Sequence, residues 1–226
     1  MALRSCGKMD RVYNGKPIIG IAGGIGSGKT YIARLLGELG CLVIEADALV
    51  REAYDDPAIR AALRTWWGGE VFDPRGQVNR TAIAQRVFNH PPERIKLEQL
   101  LHPWVDARRA VLQEEAPADT VAFVWDTPLL FETGLNARCD AVVFVDVPQE
   151  IRVMRVKAQR GWDEAELLRR ENLQLPLDKK RQISDYVLTN SAVVAQTAPM
   201  ADDTRNQVRL ILSRIVAGLP RSPQRA

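Results

Sequence analysis

Gly23-Gly24-Ile25-Gly26-Ser27-Gly28-Lys29-Thr30 reads G-x-x-x-x-G-K-T, a spacing whose chemistry is the holding of a phosphate chain. Glycines let the backbone turn tightly, so that successive N–H groups converge on phosphate oxygens at a helix N-terminus. In that geometry Lys29 reaches the β- and γ-phosphates and the Thr30 hydroxyl ligates Mg²⁺. The flanks agree. Ile18-Ile19-Gly20-Ile21-Ala22 is short, apolar and strand-like, and residues 31–39 carry their apolar side chains at helical spacing. A glycine-rich strand–helix turn without a ligand is the competing reading, and the match of the full motif and both flanks weighs against it. The sequence predicts a nucleoside triphosphate site.

A second candidate follows the next apolar run, in Val43-Ile44-Glu45-Ala46-Asp47-Ala48-Leu49-Val50-Arg51. Asp47 falls just beyond a strand end, where a kinase needs a carboxylate to orient or deprotonate an acceptor hydroxyl. It is equally suited to capping a helix over 48–54. Arg51 lies one helical turn on, placed either to hold a substrate phosphate or to pair with Asp47. Asp126-Thr127-Pro128-Leu129-Leu130-Phe131-Glu132 puts an acid at a third strand end, suited to ordering Mg²⁺ through water. Pro128 and Leu129 read as a turn on the substrate side. Glu132 reads as catalytic support or as an acid favoured by a helix dipole. His102, before Pro103 on an apolar stretch, fits a packed, hydrogen-bonded residue better than a catalyst. Arg160, before Gly161, is either a guanidinium for a transferring phosphoryl group or a solvated helix-end cation.

The elements that must position these groups alternate. Strand candidates at 18–22, 41–45, 120–126, 141–147 and 185–189 have helical segments between them, the pattern of a parallel α/β sheet. Three of them are mainly apolar, as strands covered on both faces should be. Several end in acids (Glu45, Asp126, Asp146), and ligands gather beyond the carboxyl ends of such strands. Between 47 and 115 the chain reads as helices, clearest at 80–88 and 93–114, long enough for a substrate-covering subdomain. Residues 152–181 are charged and helical, broken by Gly161 and Pro176. Charge alone favours a solvated helical hairpin over a phosphate-covering lid.

With 226 residues, 46% hydrophobic and 26% charged, the chain has the composition of a globular protein. A net charge of +3 is too small to argue for nucleic acid. The three cysteines, Cys6, Cys41 and Cys139, have no metal or C-x-x-C spacing, and Cys41 and Cys139 adjoin apolar runs, as buried thiols do. With only two histidines and no ligand spacing, no dedicated metal site is expected. No apolar stretch approaches the roughly 18 residues of a membrane helix. The expected setting is the cytoplasm, with 1–16 and 220–226 as flexible ends.

Taken in order, Gly23–Thr30, Glu45-Ala46-Asp47 with Arg51, Leu101-His102-Pro103, Asp126 with 128–132, Gln159-Arg160, and Gln174-Leu175-Pro176-Leu177 with Lys180-Arg181 resemble the dephospho-CoA kinases. The resemblance runs from Pro17 to about Asn190. It implies a P-loop NTPase fold of three α/β/α layers around a five-stranded parallel sheet. The implied core is 17–47, 118–152 and 184–219, with a helical CoA-side insert at about 48–117 and a lid at about 153–183. It implies transfer of the ATP γ-phosphate to the 3′-hydroxyl of dephospho-CoA, with Mg²⁺. ATP and dephospho-CoA are then the partners of a monomer or weak homo-oligomer, without nucleic acid or membrane. Position by position, it implies Asp47 as catalytic base with Lys29 and Arg160, and Gly24, Ile25, Gly26, Ser27, Gly28, Lys29, Thr30 and Asn190 at ATP. Thr30, with Asp126 through water, would hold the metal. Asp47, Arg51, His102, Pro128 and Leu129 would hold the acceptor.

This chain departs from the family pattern at Glu45, where an aspartate is usual, and at Tyr31, where a small hydroxyl residue is common. Another small-molecule P-loop kinase, acting on a nucleoside or nucleoside monophosphate, is the nearest alternative, and the Asp47–Arg51 and His102-Pro103 pieces argue against it. A P-loop switch or nucleic-acid-associated ATPase is disfavoured by the modest charge and the long helical insert.

Overall fold

The computed structural model describes residues 15–88, 90–191 and 198–218, with side chains from 203 onwards in the last segment. The expected flexible ends therefore lie outside the described residues, except for 15 and 16. The strands are β1 (Ile18–Gly23), β2 (Leu42–Glu45), β3 (Phe123–Asp126), β4 (Ala141–Asp146) and β5 (Tyr186–Thr189). They form one sheet in the order β2-β3-β1-β4-β5. β1 pairs in parallel with β3 on one side and β4 on the other, and β4 with β5. Each strand overlaps one of the five candidates read from the sequence, and the α/β fold with a five-stranded parallel sheet is the one the chain adopts.

Two compact units divide the chain, Ile44–Glu115 and the remainder. In the remainder, every residue of β1 is buried, as the central strand of a sheet covered on both faces requires. Alternate side chains Ile19 and Ile21 share a cluster with Ile32, Leu35 and Leu36 of α1 (Lys29–Glu38) and Val208, Ile211 and Leu212 of α9 (Ala198–Val216). Full burial of each such aliphatic side chain contributes about 2 kcal/mol. On the opposite face of β1, a Cβ at Gly20 would lie 2.7 Å from Leu130 Cδ2 and 2.9 Å from Cys139 Sγ. Cys41 and Cys139 are buried free thiols, as expected, and burial pushes the Cys41 thiol up to about 11.

Ile44–Glu115 contains α2 (Ala46–Ala53), α3 (Pro57–Trp67), α4 (Arg80–Phe88) and α5 (Pro91–Glu114). Its core joins Ala53, Ile59, Leu63, Trp67, Ile83, Leu97 and Leu101, the apolar stripes of amphipathic helices. α3 starts on a strong signal: Asp56 Oδ1 accepts from the Ala58 and Ile59 N–H groups, with Pro57 in the first turn. Those bonds, after the larger one from Trp104, hold the Asp56 carboxyl below its usual range. α5 runs through Pro103 without ending. Outside this unit, α6 (Gln149–Arg160), α7 (Glu164–Glu171) and α8 (Leu177–Gln182) lie between β4 and β5.

Candidate active site

The turn after β1 faces the carboxyl ends of β3 and β4, because the chain leaves β1 between the two strands that pair with it. In an open α/β sheet this is where a ligand crevice forms. The glycines there are sterically required. A Cβ at Gly24 would lie 2.8 Å from both Arg152 Nη1 and Glu171 Oε1, and Gly28, at φ 84°, would place one 2.7 Å from Asn190 Nδ2. Gly28 caps α1 in the left-handed region, which aims the first N–H groups of the helix towards the loop mouth.

Lys29 Nζ donates to the carbonyls of Gly23 and Gly24, at 3.1 Å each. Burial is the largest influence on its ammonium and brings it down to about 8. Asp126 works against that shift, Lys180 and Arg160 add to it, and Glu171 opposes it. The Thr30 hydroxyl donates to Asp126 Oδ2 at 2.8 Å, so the end of β3 and the first turn of α1 place two oxygens side by side. The loop and the end of β3 together therefore hold a cation, a hydroxyl–carboxylate pair and a row of helix-start N–H groups.

Asn190, after β5, is buried, and its side-chain amide donates to the Ser27 carbonyl at 2.9 Å. Its side-chain amide thus braces the P-loop. Arg155 supports the same loop, donating to the carbonyls of Gly26 and Ser27 at 3.2 Å each and to that of Asn190 at 2.8 Å. Arg160 is exposed at the C-terminus of α6, its guanidinium 4.8 Å from the Trp162 ring centroid, with Arg170 at 4.1 Å from the same ring.

Pro128 and Leu129 are exposed in the turn after β3. Glu132 is not at a helix start as its dipole reading required. It lies in that turn, accepting from Lys180 Nζ at 2.8 Å and from the Leu175 N–H at 2.9 Å. Burial raises the Glu132 carboxyl, but the bonds from Lys180 and from the Glu132 and Leu175 backbone, with the Lys180 charge, outweigh it and hold it below its ordinary value.

Asp47, Arg51 and His102 belong to the helical unit. Asp47 is exposed in the first turn of α2, and the N-cap is Glu45, not Asp47, because the helix begins two residues earlier than the capping reading assumed. Arg51 is exposed in the last turn of α2, and neither it nor Asp47 has an ion-pair partner among the described residues. His102 is exposed on α5 rather than packed.

The sequence reading assigns no role to Arg152, Glu171 or Lys180. Charge favoured a solvated hairpin for 152–181, yet Arg152 and Lys180 are only 5% and 2% exposed. The available signal was positional: Arg152 and Arg155 share a helical face with Val156, which is buried. No cluster of three or more His, Cys, Asp or Glu able to hold a metal occurs among the described residues, and no helix there is long and apolar enough to cross a membrane.

A parallel sheet with a Gly-Lys-Thr loop at its switch point and a Thr–Asp oxygen pair beside the lysine defines a P-loop kinase. The sequence of the dephospho-CoA kinase (CoaE) family matches residues 17–196. A dephospho-CoA kinase of Syntrophotalea carbinolica is 35% identical over 205 residues, 89% of this chain and 93% of that protein. One from Anaeromyxobacter dehalogenans is 40% identical over 192 residues, 82% and 89% of the two chains. The crystal structure of TT1252 from Thermus thermophilus superposes with a TM-score of 0.72 at 32% identity, covering 90% of this chain and 98% of that one. The chain belongs to the dephospho-CoA kinase family.

Proposed function

We propose that this protein transfers the γ-phosphoryl group of ATP to the 3′-hydroxyl of dephospho-CoA, forming coenzyme A in the cytoplasm as a monomer or weak homo-oligomer, without nucleic acid. The observation that carries this reading is the Thr30–Asp126 pair at 2.8 Å, with Lys29 next to Thr30 in the chain, in a member of this family.

Phosphoryl transfer asks a protein chiefly for positioning and for charge aimed at the equatorial oxygens. The N–H groups at the start of α1 hold the β- and γ-phosphates, and Lys29 turns from its carbonyl partners to those oxygens. Arg160, close enough to Lys29 to depress its ammonium, supplies a second cation from the C-terminus of α6. Thr30 and Asp126 offer the hard oxygen donors that Mg²⁺ takes, so the residues present fit the ion. The ion held there would supply positive charge to offset that of the phosphates. Asp47 accepts the proton of the acceptor hydroxyl, while Arg51, His102, Pro128 and Leu129 hold the acceptor.

The deciding experiment is to incubate purified protein with Mg-ATP and, separately, dephospho-CoA, AMP, CMP or pantothenate, and to identify products by mass. Coenzyme A from dephospho-CoA alone is expected; its absence with folded protein overturns the reading. Asp47→Asn is expected to leave ATP binding nearly intact while lowering turnover by about 100-fold or more. Near-normal turnover would remove Asp47 from the role of base.

A further inference from the structure

The mechanism above leaves a buried ion pair unused. Arg152 and Glu171 are bonded to each other, with side chains only 5% and 11% exposed. Both also take hold of one residue of the P-loop, Ile25, through the two peptide units that flank it. Glu171 Oε1 accepts from the Ile25 N–H at 2.9 Å, and Arg152 Nη1 donates to the Ile25 carbonyl at 3.4 Å. Arg152 Nε is anchored on the Val147 carbonyl, just after β4, at 3.3 Å. The grip therefore joins the loop to the first turn of α6 and the last residue of α7.

A carboxylate on a P-loop N–H has two possible consequences: it competes with phosphate, or it fixes the loop that phosphate binds. The bonds decide between them. Glu171 occupies only the N–H of Ile25, upstream of the helix start, and Arg152 neutralises its charge. No side chain among the described residues accepts from the N–H groups of Gly26, Gly28, Lys29 or Thr30, the groups that point to the phosphates. The loop is also closed on itself here, by the Ser27 N–H on the Gly24 carbonyl at 3.2 Å.

We propose that Arg152 and Glu171 are positioning residues for the donor, which hold the backbone on both sides of Ile25 so that the P-loop keeps its phosphate-ready curvature before ATP arrives. Preorganisation of this kind raises affinity by removing the ordering cost from the binding step. The proposal rests on the P-loop being the ATP site, and not on the identity of the acceptor.

Removing one charge leaves its partner buried and unpaired, which destabilises for reasons unrelated to the loop. The informative variant is therefore the double Arg152→Met/Glu171→Leu, which removes both charges. Direct Mg-ATP titration by calorimetry is expected to show affinity weakened roughly tenfold, with a melting temperature within a few degrees of wild type. KM for dephospho-CoA should stay within about twofold, since the grip touches only the donor loop. Arg152→Met alone should bind ATP more weakly than the double variant, because Glu171 then presents a bare anion beside the phosphates. Glu171→Gln, which keeps an acceptor for the Ile25 N–H, should recover part of the affinity lost in Glu171→Ala. Wild-type ATP affinity in the folded double variant, or equal losses for donor and acceptor, would overturn the proposal. Wild-type protein that binds ATP yet makes no coenzyme A would defeat the proposed function and leave the grip standing.

Discussion

At the scale of single residues, Lys29 makes the most quantitative demand. Its ammonium titrates near 8 in the nucleotide-free loop because it is buried among Lys180 and Arg160, against the pull of Asp126 and Glu171. A bound triphosphate adds negative charge and must raise that value. Binding is therefore at full strength below about pH 8 and weakens as pH rises through it, with a proton taken up on binding above that point. Calorimetry of Mg-ATP binding in buffers of different ionisation enthalpy should reveal that uptake at pH 8.5 and almost none at pH 6.5. Lys29→Ala should bind ATP at least tenfold more weakly and lose the effect. Asp126→Asn should shift the Mg²⁺ dependence of turnover to higher concentration, because Thr30 then has an amide beside it instead of a carboxylate.

At the scale of elements, the pair of Lys180 with Glu132 ties α8 to the turn after β3. Lys180 Nζ also donates to Gln174 Oε1 at 2.9 Å and is almost wholly inaccessible to water. Lys180→Met should cost about 3 kcal/mol by leaving Glu132 without its cation, and adding Glu132→Leu should restore most of that, measured by urea unfolding. The held-down Glu132 carboxyl contributes stability that is present above its ordinary titration range and lost as pH falls through its lowered value. The double variant should therefore show a flatter acid limb in its stability profile.

The elements also show what a sequence discloses. The P-loop could be read because its function is local: consecutive residues supply the turn, the cation and the hydroxyl. β1, β3 and β4 could be read because burial on both faces leaves an apolar run. The roles of Arg152, Glu171 and Lys180 could not, because a charge looks the same on a solvated helix and on one folded against a distant loop or turn. Asp47 shows a smaller failure. Its residue type suits a cap, but the cap position depends on where β2 ends, and β2 passes directly into α2 at Glu45. α9 was passed over, although its Val208, Ile211 and Leu212 complete the cluster beneath β1.

At the scale of the whole molecule, the two units carry separate cores, and their responses to a cavity should be separable. Leu63 is fully buried among α2, α3 and α5 side chains, and Leu63→Ala should destabilise by about 3 kcal/mol. Hydrogen exchange should then show lost protection across α2 to α5 first, in the manner of a local cooperative unit. Peptide mapping of alkylated protein should show Cys41 and Cys139 labelled only when their own unit opens, since both thiols are buried and burial keeps the Cys41 thiol protonated at neutral pH.

The position of β1 in the sheet also governs the order in which the molecule can be made. Among the described strands β1 leaves the ribosome before the others, yet its partners are Phe123–Asp126 and Ala141–Asp146. The loop it carries is braced by Arg152, Glu171 and Asn190, so the phosphate site is written early and completed late. The helices of Ile44–Glu115 are contiguous and can collapse through local contacts while β1 waits, as topology dictates for folding rates. Stalled nascent chains ending near residue 150 should accordingly show protease-resistant helices but no retention on immobilised ATP. Chains extended past α9 should gain that retention in a single step.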